Sequence, residues 1–431
     1  MKQENKNNII STILLFFYIY EFNFQVFGFP TFITSRRVSV LLFVVLLACR
    51  SIVKHNGKLR IVPTGGCVAS CIRTHAILQF VMLVYSCMLI FIIGTGEGES
   101  IVIDIVQYLL FSIFPIVLFY SYYDNLDCFM NAILFVTIIQ TIIIIICLWS
   151  SDFAYALDHT FATGETLEYI TSHRDEYAGG LACITAPGAF KYSLGLIACV
   201  YFSLKKKKTR YLIAYFAFSV VITMIARTGF FIALIGLLVI LVGTGRSRKG
   251  GSSFKVLLSA ALILLVAVFA LYMLDLQAFF DSRYQRLFAL FENGLRAEFL
   301  DYYFSGENIG NVYVAINSET FWGIGITSGT SGNGVTVNVD GGFLRLIAAL
   351  GVPMAVIFYV SFAFVLYRLQ RNIGSKLHKS TMLFFIIVLL MAEFKEYTIY
   401  AQYMPCILFT SYALGEKHAI RMKGETTGAE L

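Results

Sequence analysis

The stretch Asn338-Val339-Asp340-Gly341-Gly342-Phe343-Leu344-Arg345 ends a long polar segment and opens a strongly apolar run. If a membrane helix begins at the glycines, Asp340 and Arg345 stand just under a turn and a half apart and can face one cavity near the bilayer surface. A charge at that depth is costly unless it is paired, solvated or used in a function. The structural alternative makes Asp340 the N-cap of the helix and lets Arg345 snorkel to the membrane surface.

Around this stretch the chain is too apolar for a soluble globular protein, because 58% of its 431 residues are hydrophobic, 16% aromatic and only 14% charged. This composition indicates an all-α polytopic integral membrane protein. At about 30 residues for each span and its connection, we expect about 12 transmembrane helices in a single membrane-embedded domain over residues 1–431. No small-residue cleavage site is evident near residues 9–27, so we expect the first helix to be retained.

The distribution of charge predicts the topology. A net charge of +7 would suit a nucleic-acid partner, but the Lys and Arg residues lie in short connections between apolar runs, where they act as topology signals. They place both termini in the cytoplasm and two long polar loops outside, residues 150–176 and 275–340. In the second loop, apolar residues at helical spacing predict an amphipathic helix near residues 281–304. The clearest cytoplasmic signal is the run Lys205, Lys206, Lys207 and Lys208.

Arg227 interrupts an apolar run, residues 211–242, that is basic on both flanks. Two basic flanks require an even number of crossings. Each arm has roughly 15 residues, too few for about 30 Å of hydrocarbon, so a hairpin turning at Arg227 would sink this side chain below the outer surface. The alternative is one long tilted helix with a paired or snorkelling Arg227.

The nine cysteines indicate neither disulfides in the outer loops nor a metal site. Neither long outer loop contains a cysteine. Cys67 and Cys71 share a basic segment without a second Cys or His pair at a zinc-like spacing. We therefore expect no metal and no cofactor.

Cations retained on the predicted outer face need an anionic partner. A lipid diphosphate fits, because Arg donates two parallel hydrogen bonds to phosphate oxygens; phospholipid headgroups and protein carboxylates are the alternatives. Trp322 lies in a Gly-rich segment that suits a mobile lid or a platform for a sugar ring, with a plain flexible loop as the alternative. The cations in question are Arg174, Arg227, Arg283, Arg286, Arg345 and Lys395.

A series of short motifs follows in order between residues 174 and 351. Each motif is weak alone, and the set gains specificity from its order, its spacing and its predicted outer-face placement. The series runs Arg174, Gly179-Gly180, Ala186-Pro187, Ala226-Arg227-Thr228-Gly229, Phe321-Trp322-Gly323-Ile324-Gly325, Asp340-Gly341-Gly342-Phe343-Leu344-Arg345 and Gly351.

This series resembles the O-antigen polymerase and O-antigen ligase superfamily. The resemblance implies a glycosyltransferase of the bacterial inner membrane that moves a growing glycan from undecaprenyl diphosphate onto another lipid-linked repeat unit, without a metal or a nucleotide sugar. It also implies that Arg174, Arg227 and Arg283 bind the diphosphate. In the family's paired-loop motif, an Arg in each loop is followed by a Gly at a set spacing. Arg283 is followed by such a Gly, but Arg174 is not, so the paired-loop motif is not present. Ligases usually have a His where Asp340 stands, which favours a polymerase.

The chemistry of such a transfer assigns roles to these residues. Loss of a diphosphate from an anomeric carbon places negative charge on the leaving phosphate, and cations preset there lower the barrier. Arg174 and Arg227 are the candidates for this role. A carboxylate can orient the attacking hydroxyl and take its proton. Asp340 is the first candidate for this role, and Glu307 and Glu393 are the next.

Two other classes stay open. A flippase or other transporter of lipid-linked sugar would be expected to show internal repeats and matching charges at mid-membrane, and no such repeat is evident. An assembly protein of the envelope would not need specific chemistry at Arg227 or Asp340. The expected partners are undecaprenyl-diphosphate-linked oligosaccharides and membrane lipids, with a chain-length regulator and a flippase of the same pathway, and no nucleic acid.

Overall fold

The structure, a computed structural model, describes residues 2–24, 30, 33–55, 66–94, 96–161, 180–181, 185–245, 320–339, 341–400 and 403–427. Some of the sequence predictions concern residues outside these ranges. The amphipathic helix near residues 281–304 and most of the outer loop 275–340 lie outside the described residues. The first outer loop, residues 150–176, is described as far as residue 161.

The described part of the chain is mostly helical, with one small antiparallel sheet. A π-helical turn, Leu109–Ile113, interrupts the helix Ile101–Tyr122, where the Phe114 N–H bonds to the Leu109 carbonyl and Pro115 has no N–H to donate. The helices are α1 Lys2–Ile19, α2 Ser35–His55, α3 Cys67–Ile93, α4 Ile101–Tyr122, α5 Leu126–Trp149, α6 Ser151–Phe161, α7 Thr185–Lys206, α8 Thr209–Ile225, α9 Arg227–Gly245, α10 Gly342–Asn372, α11 Lys376–Lys395 and α12 Tyr403–Thr427.

Five of the described helices, α3, α4, α5, α10 and α11, are long and apolar enough to cross a membrane. Large apolar side chains lie on their outer faces, among them Phe91 at 91% and Trp149 at 88% exposure, which suits contact with lipid. The structure is therefore consistent with the predicted helical membrane protein. The helices of spanning length in the described residues number five rather than about twelve, and three shorter apolar helices lie beside them in the chain: Ile9–Ile19, Thr209–Ile225 and Thr228–Gly243.

The chain divides into two compact units, each assembled from three segments. The first unit comprises Met1–Phe43, Asp127–Glu292 and Ser375–Val388. The second comprises Val44–Leu126, Asn293–Gly374 and Leu389–Leu431. That the whole chain is a single membrane-embedded domain stays a prediction.

In the first unit, α8 and α9 form a helical hairpin that turns at one extended residue, Ala226, with φ −159° and ψ 152°. A Cβ added to Gly229 would lie 2.2 Å from the Ile222 carbonyl oxygen, so the two helices touch directly beside the turn. The predicted interruption of this apolar run is present, and the alternative of one long helix is wrong. The depth of the turn in a membrane stays a prediction.

Helix α7 packs against both arms of this hairpin. Helix α7 also contacts α5: a Cβ added to Gly195 of α7 would lie 2.3 Å from the Thr137 side chain of α5, and the Tyr192 hydroxyl of α7 lies 2.6 Å from that of Thr141 on α5. Small residues let membrane helices approach closely, and hydroxyl groups bond across them. These contacts fix α5 against α7.

The first predicted outer loop begins with a helix instead of irregular chain. Ser150 caps α6, because its Oγ accepts the Phe153 N–H at 3.2 Å, and Asp152 lies in the first turn. The end of α6 packs on the connection between α1 and α2 through Phe161 and Phe22, whose ring centroids are 4.6 Å apart.

In the second unit, α3 packs against α4, α10 and α12. His75 Nε2 lies 2.9 Å from the Tyr108 hydroxyl, and the Tyr400 hydroxyl donates to Gln79 Oε1 at 2.8 Å. All four side chains are buried. Such bonds satisfy polar groups that lipid cannot satisfy and tie the helices together.

Two neighbouring residues of α12 cap two different helices, one at its N-terminus and the other at its C-terminus. The Glu416 carboxylate accepts the first two backbone N–H groups of α3 at 2.9 and 3.2 Å. The Lys417 ammonium donates to two carbonyl oxygens at the end of α4, each at 3.1 Å. An anion at a helix N-terminus and a cation at a C-terminus each stabilise, typically by about 0.3–1 kcal/mol.

A three-stranded antiparallel sheet lies beside the start of α4. It consists of β1 Glu99–Ser100, β2 Ile326–Thr330 and β3 Thr336–Val337, in the order β1-β2-β3. Ile324, Ile326, Val337 and Val339 alternate along the chain and bury one face against Ala348 of α10. Residues 328–334, the later part of the Gly-rich segment that contains Trp322, belong to a β-hairpin rather than to an irregular loop, and the all-α prediction missed this sheet.

Residues 321–325, hereafter the docking segment, bond to the backbone of α10 where that helix is broken. Pro353 lacks an N–H, so it cannot donate to the Ala349 carbonyl four residues earlier. The Gly325 N–H donates to that carbonyl instead, at 3.0 Å. The docking segment thus supplies a donor that the helix lacks.

Two further hydrogen bonds complete this exchange. The Ile324 N–H donates to the Ala348 carbonyl at 2.9 Å, and the Val352 N–H donates to the Phe321 carbonyl at 2.9 Å. In an unbroken helix, Val352 would have donated to Ala348. Backbone groups freed by the break are therefore satisfied by the docking segment.

The break depends on two glycines. Gly351 has a φ of 77°, and a Cβ added to it would lie 2.3 Å from the Trp322 carbonyl carbon. Gly323 has a φ of 92°, and its Cβ would lie 2.5 Å from the Gly351 nitrogen. Both the left-handed backbone and the lack of space exclude a side chain at either position.

We expect Gly351→Ala to lower the free energy of unfolding by about 2 kcal/mol or more. The left-handed conformation contributes about 1–2 kcal/mol, and overpacking against Trp322 contributes about 1–3 kcal/mol. The measurement is the denaturant or thermal midpoint of the detergent-solubilised protein. Gly374→Ala is the matched control, because a Cβ there would meet nothing within 4 Å. Equal midpoints for the two variants would contradict the docked arrangement.

Candidate functional site

The predicted site stretch opens α10 in the second unit. The helix begins at Gly342, and Gly341 holds the N-cap position with φ −69° and ψ 131°. Asp340 itself lies outside the described residues. Because the N-cap falls on Gly341, the alternative that Asp340 fills that position is wrong.

The two glycines let the connection between α11 and α12 pack directly on the start of α10. A Cβ added to Gly342 would lie 2.6 Å from the Glu396 carbonyl oxygen and 2.7 Å from Glu393 Oε1. One residue later, the Phe343 and Phe394 rings stack with centroids 5.8 Å apart. The start of α10 is therefore held by close contact with the backbone of this connection.

Arg345 is anchored to the same segment. Its Nε donates to the Val339 carbonyl at 2.7 Å, and the side chain is half-buried. Arg345 therefore folds back toward the residues that precede the helix. Whether this position also lets Arg345 snorkel to the membrane surface stays a prediction.

Asp104 is a carboxylate of this site that the sequence analysis passed over. It lies half-buried in the first turn of α4, and its Oδ2 accepts the Thr327 hydroxyl of β2 at 3.2 Å. Arg345 and Glu99 lie within electrostatic reach of it, as does Tyr397. Burial, together with the charge of Asp104, raises the pKa of Tyr397 well above its ordinary value, so that hydroxyl keeps its proton at neutral pH. A lone Asp inside an apolar run was the available sequence signal.

Glu393, a reserve candidate for the catalytic base, has a structural position. Its carboxylate accepts the Tyr359 hydroxyl at 2.7 Å and the backbone N–H groups of Thr398 and Ile399 at 3.0 and 2.7 Å. These three bonds hold the connection between α11 and α12. Glu393 is also only 4% exposed, so it offers little access to a substrate. The other reserve candidate, Glu307, lies outside the described residues.

Trp322 and Lys395 lie on elements that meet α10. The Trp322 ring is 60% exposed and makes an edge contact with Phe321, at a centroid distance of 5.1 Å. Its backbone is fixed, because its carbonyl accepts the Tyr85 hydroxyl of α3. Lys395 is the last residue of α11, beside the connection that packs on Gly342. An exposed ring on a fixed backbone can stack against a sugar.

The other predicted site residues are not assembled by the described structure. Arg227 begins α9 in the first unit, and its side chain is outside the described residues, as are Arg174, Arg283, Arg286 and Asp340 in full. Of the predicted set, Arg345, Trp322 and Lys395 are therefore brought to one unit. That the remaining arginines join them stays a prediction.

In the ranges that the structure describes, no group of three or more His, Cys, Asp or Glu side chains could hold a metal ion. Cys67 and Cys71 lie on successive turns of α3 with sulfur atoms 3.9 Å apart. Asn372 bonds to the Cys67 sulfur, so this pair contributes to packing at the end of α10.

No protein-family model, no curated protein and no solved structure matches this chain. Its resemblance to the O-antigen polymerase and ligase superfamily accordingly rests on the sequence motifs alone, and membership of that family stays a prediction.

Proposed function

We propose that the chain is a glycosyltransferase of the bacterial inner membrane that polymerises undecaprenyl-diphosphate-linked oligosaccharide repeat units. One observation carries the proposal: two motifs of the resemblance, residues 321–325 and Gly351, pack directly against each other at the break in α10. Each of these motifs is weak alone. Their direct contact supports a common role at one site.

The packing supports a site for a sugar and a phosphate. Trp322 presents an exposed ring beside the break at Gly351. Arg345 lies six residues before Gly351, so the two residues are about 9 Å apart along the helix axis. Stacking on an aromatic ring suits a sugar, and an arginine fork suits a diphosphate. The proposed donor carries both groups in one molecule.

The proposed reaction breaks the anomeric carbon–oxygen bond to the diphosphate and forms a bond to a hydroxyl of the acceptor unit. Arg174, Arg227 and Arg283 bind the leaving diphosphate in this proposal, and Arg345, Arg286 and Lys395 supply further positive charge. Asp340 takes the proton of the attacking hydroxyl. Asp104, near Arg345, acts as a positioning residue that keeps the guanidinium oriented.

The finer topology belongs to the same proposal. We propose about twelve crossings, both termini in the cytoplasm, and the loops 150–176 and 275–340 on the outer face of the membrane. The exposed basic connection between α7 and α8 supports a cytoplasmic position for that end of the first unit. A chain-length regulator and a flippase are the proposed partners in the pathway.

Two alternatives remain. A ligase would transfer finished glycan to a different lipid acceptor, and Asp340 in place of the usual His disfavours it. A flippase is favoured by one observation, the buried polar groups His75, Tyr108, Gln79 and Tyr400 inside the second unit. The reaction product separates the three, because neither a ligase nor a flippase lengthens lipid-linked repeat units on its own.

Topology can be tested by labelling introduced cysteines after replacement of the nine native ones. Cysteines at Asn338 and at Lys208, both exposed positions, should differ in intact spheroplasts. A membrane-impermeant maleimide should label the first and not the second, and both should react after permeabilisation. Labelling of the second position in intact spheroplasts would reverse the proposed topology.

The function is tested with purified protein and purified lipid-linked repeat units in proteoliposomes. Wild-type protein should produce a ladder of longer lipid-linked glycans, resolved on a gel. In the same assay Asp340→Asn should lower the rate about 100- to 10,000-fold, since an amide cannot accept the hydroxyl proton. Absence of any ladder with wild-type protein would refute the proposed activity.

Glu97→Gln provides the matched control, because it removes an exposed carboxylate in the turn before β1 that has no proposed role in the candidate site. It should polymerise at a rate near that of the wild type. If Asp104→Asn loses activity and Asp340→Asn retains it, the base is Asp104. Full activity in both variants would show that neither carboxylate takes part.

A further inference from the structure

The connection between α7 and α8 concentrates positive charge in the first unit. Five of its six residues, 205–210, are cations, and all six are exposed. Within the described part of the chain, one ion pair involves this group, between Lys205 Nζ and Asp127 Oδ1 at 2.6 Å. The group, hereafter the basic turn, thus carries a large excess of positive charge over so short a length.

The backbone of the basic turn is tight. Helix α7 ends at Lys206 and α8 begins at Thr209, so two residues make the reversal. Lys207 adopts a left-handed φ of 51°, and the Tyr211 N–H bonds to the Lys208 carbonyl at 3.1 Å. This conformation is uncommon for a residue with a side chain. It holds like charges close together, which is unfavourable unless an anion offsets them.

Two of the cations, Lys206 and Arg210, are held over the rings of a pair of stacked aromatic residues. The Phe202 and Tyr211 rings stack with centroids 4.9 Å apart, and Lys206 Nζ lies 4.4 Å from the Phe202 ring centroid. Arg210 lies over Tyr211 at 4.8 Å and donates to its hydroxyl at 2.9 Å. Since these contacts order two long side chains in advance, binding an anion costs them less entropy.

The position of the basic turn indicates the kind of anion. It directly joins two packed apolar helices, and residues 202–204 and Tyr211 at its edges are buried. Aromatic residues with flanking Lys and Arg are typical of the level of lipid headgroups. Basic clusters beside membrane helices attract anionic lipids.

We propose that the basic turn binds the phosphate groups of anionic phospholipid headgroups. Arg210 supplies a planar fork, and Lys206, Lys207 and Lys208 supply point charges around it. The proposal does not depend on the glycosyltransferase activity. It assigns to these residues a ligand, in addition to their value as a topology signal.

The test uses full-length protein purified in detergent and titrated with phosphatidylglycerol or with phosphatidylcholine of the same acyl chains, with binding followed by native mass spectrometry. Wild-type protein should prefer phosphatidylglycerol. Lys207→Gln combined with Lys208→Gln should weaken that binding about 25-fold, at about fivefold for each charge removed. The loss should shrink as ionic strength rises.

The matched control removes two exposed cations at the end of α10, through Arg368→Gln with Arg371→Gln, and should leave phosphatidylglycerol binding near the wild-type level. Thermal midpoints of both double variants verify folding. Unchanged binding in the Lys207 and Lys208 variant, or an equal loss in the control, would overturn the proposal. Displacement of the lipid by inorganic phosphate at equal concentration would also overturn it, because the ligand would then be a soluble anion.

Discussion

The second unit depends on hydrogen bonds between the docking segment and the broken backbone of α10. A membrane helix must satisfy every backbone N–H and C=O internally or through protein neighbours, because lipid offers no partner and an unsatisfied buried group costs several kcal/mol. Gly351 and Pro353 remove that internal satisfaction from the middle of an apolar helix. The break is tolerated because residues 321–325 supply the missing partners.

This exchange fixes several parts of the unit at once. The docking segment leads directly into β2, so the sheet and its buried face against Ala348 follow from the same contact. The sheet in turn positions Thr327 against Asp104. At the start of α10, Gly341 and Gly342 let the connection after α11 pack directly against the helix. The docking segment and the sheet therefore fix the backbone of Trp322 and bring Thr327 to Asp104, and the glycine pair fixes the start of the helix that carries Arg345.

Local sequence signals predicted the helices and the turn of the α8–α9 hairpin, because apolar periodicity and a polar interruption act over a few residues. The sheet was missed, since β1 pairs with residues more than 200 positions later and no local pattern marks such a partner. Asp104 was passed over because a single carboxylate in an apolar run looks incidental until Thr327 and Arg345 are placed beside it. Gly351 was noted only as a motif residue, and its need for a left-handed backbone requires the contact with Trp322.

The docked arrangement is tested most directly by amide hydrogen exchange of the full-length protein, resolved at single residues. The N–H groups of Ile324, Gly325 and Val352 should exchange as slowly as those of the adjoining helix, because each is bonded across the break. The Gly334 N–H, in the turn between β2 and β3, provides the reference for a short-range bond. Exchange of Gly325 and Val352 at the rate of an exposed loop would show that the docking segment does not bond across the break.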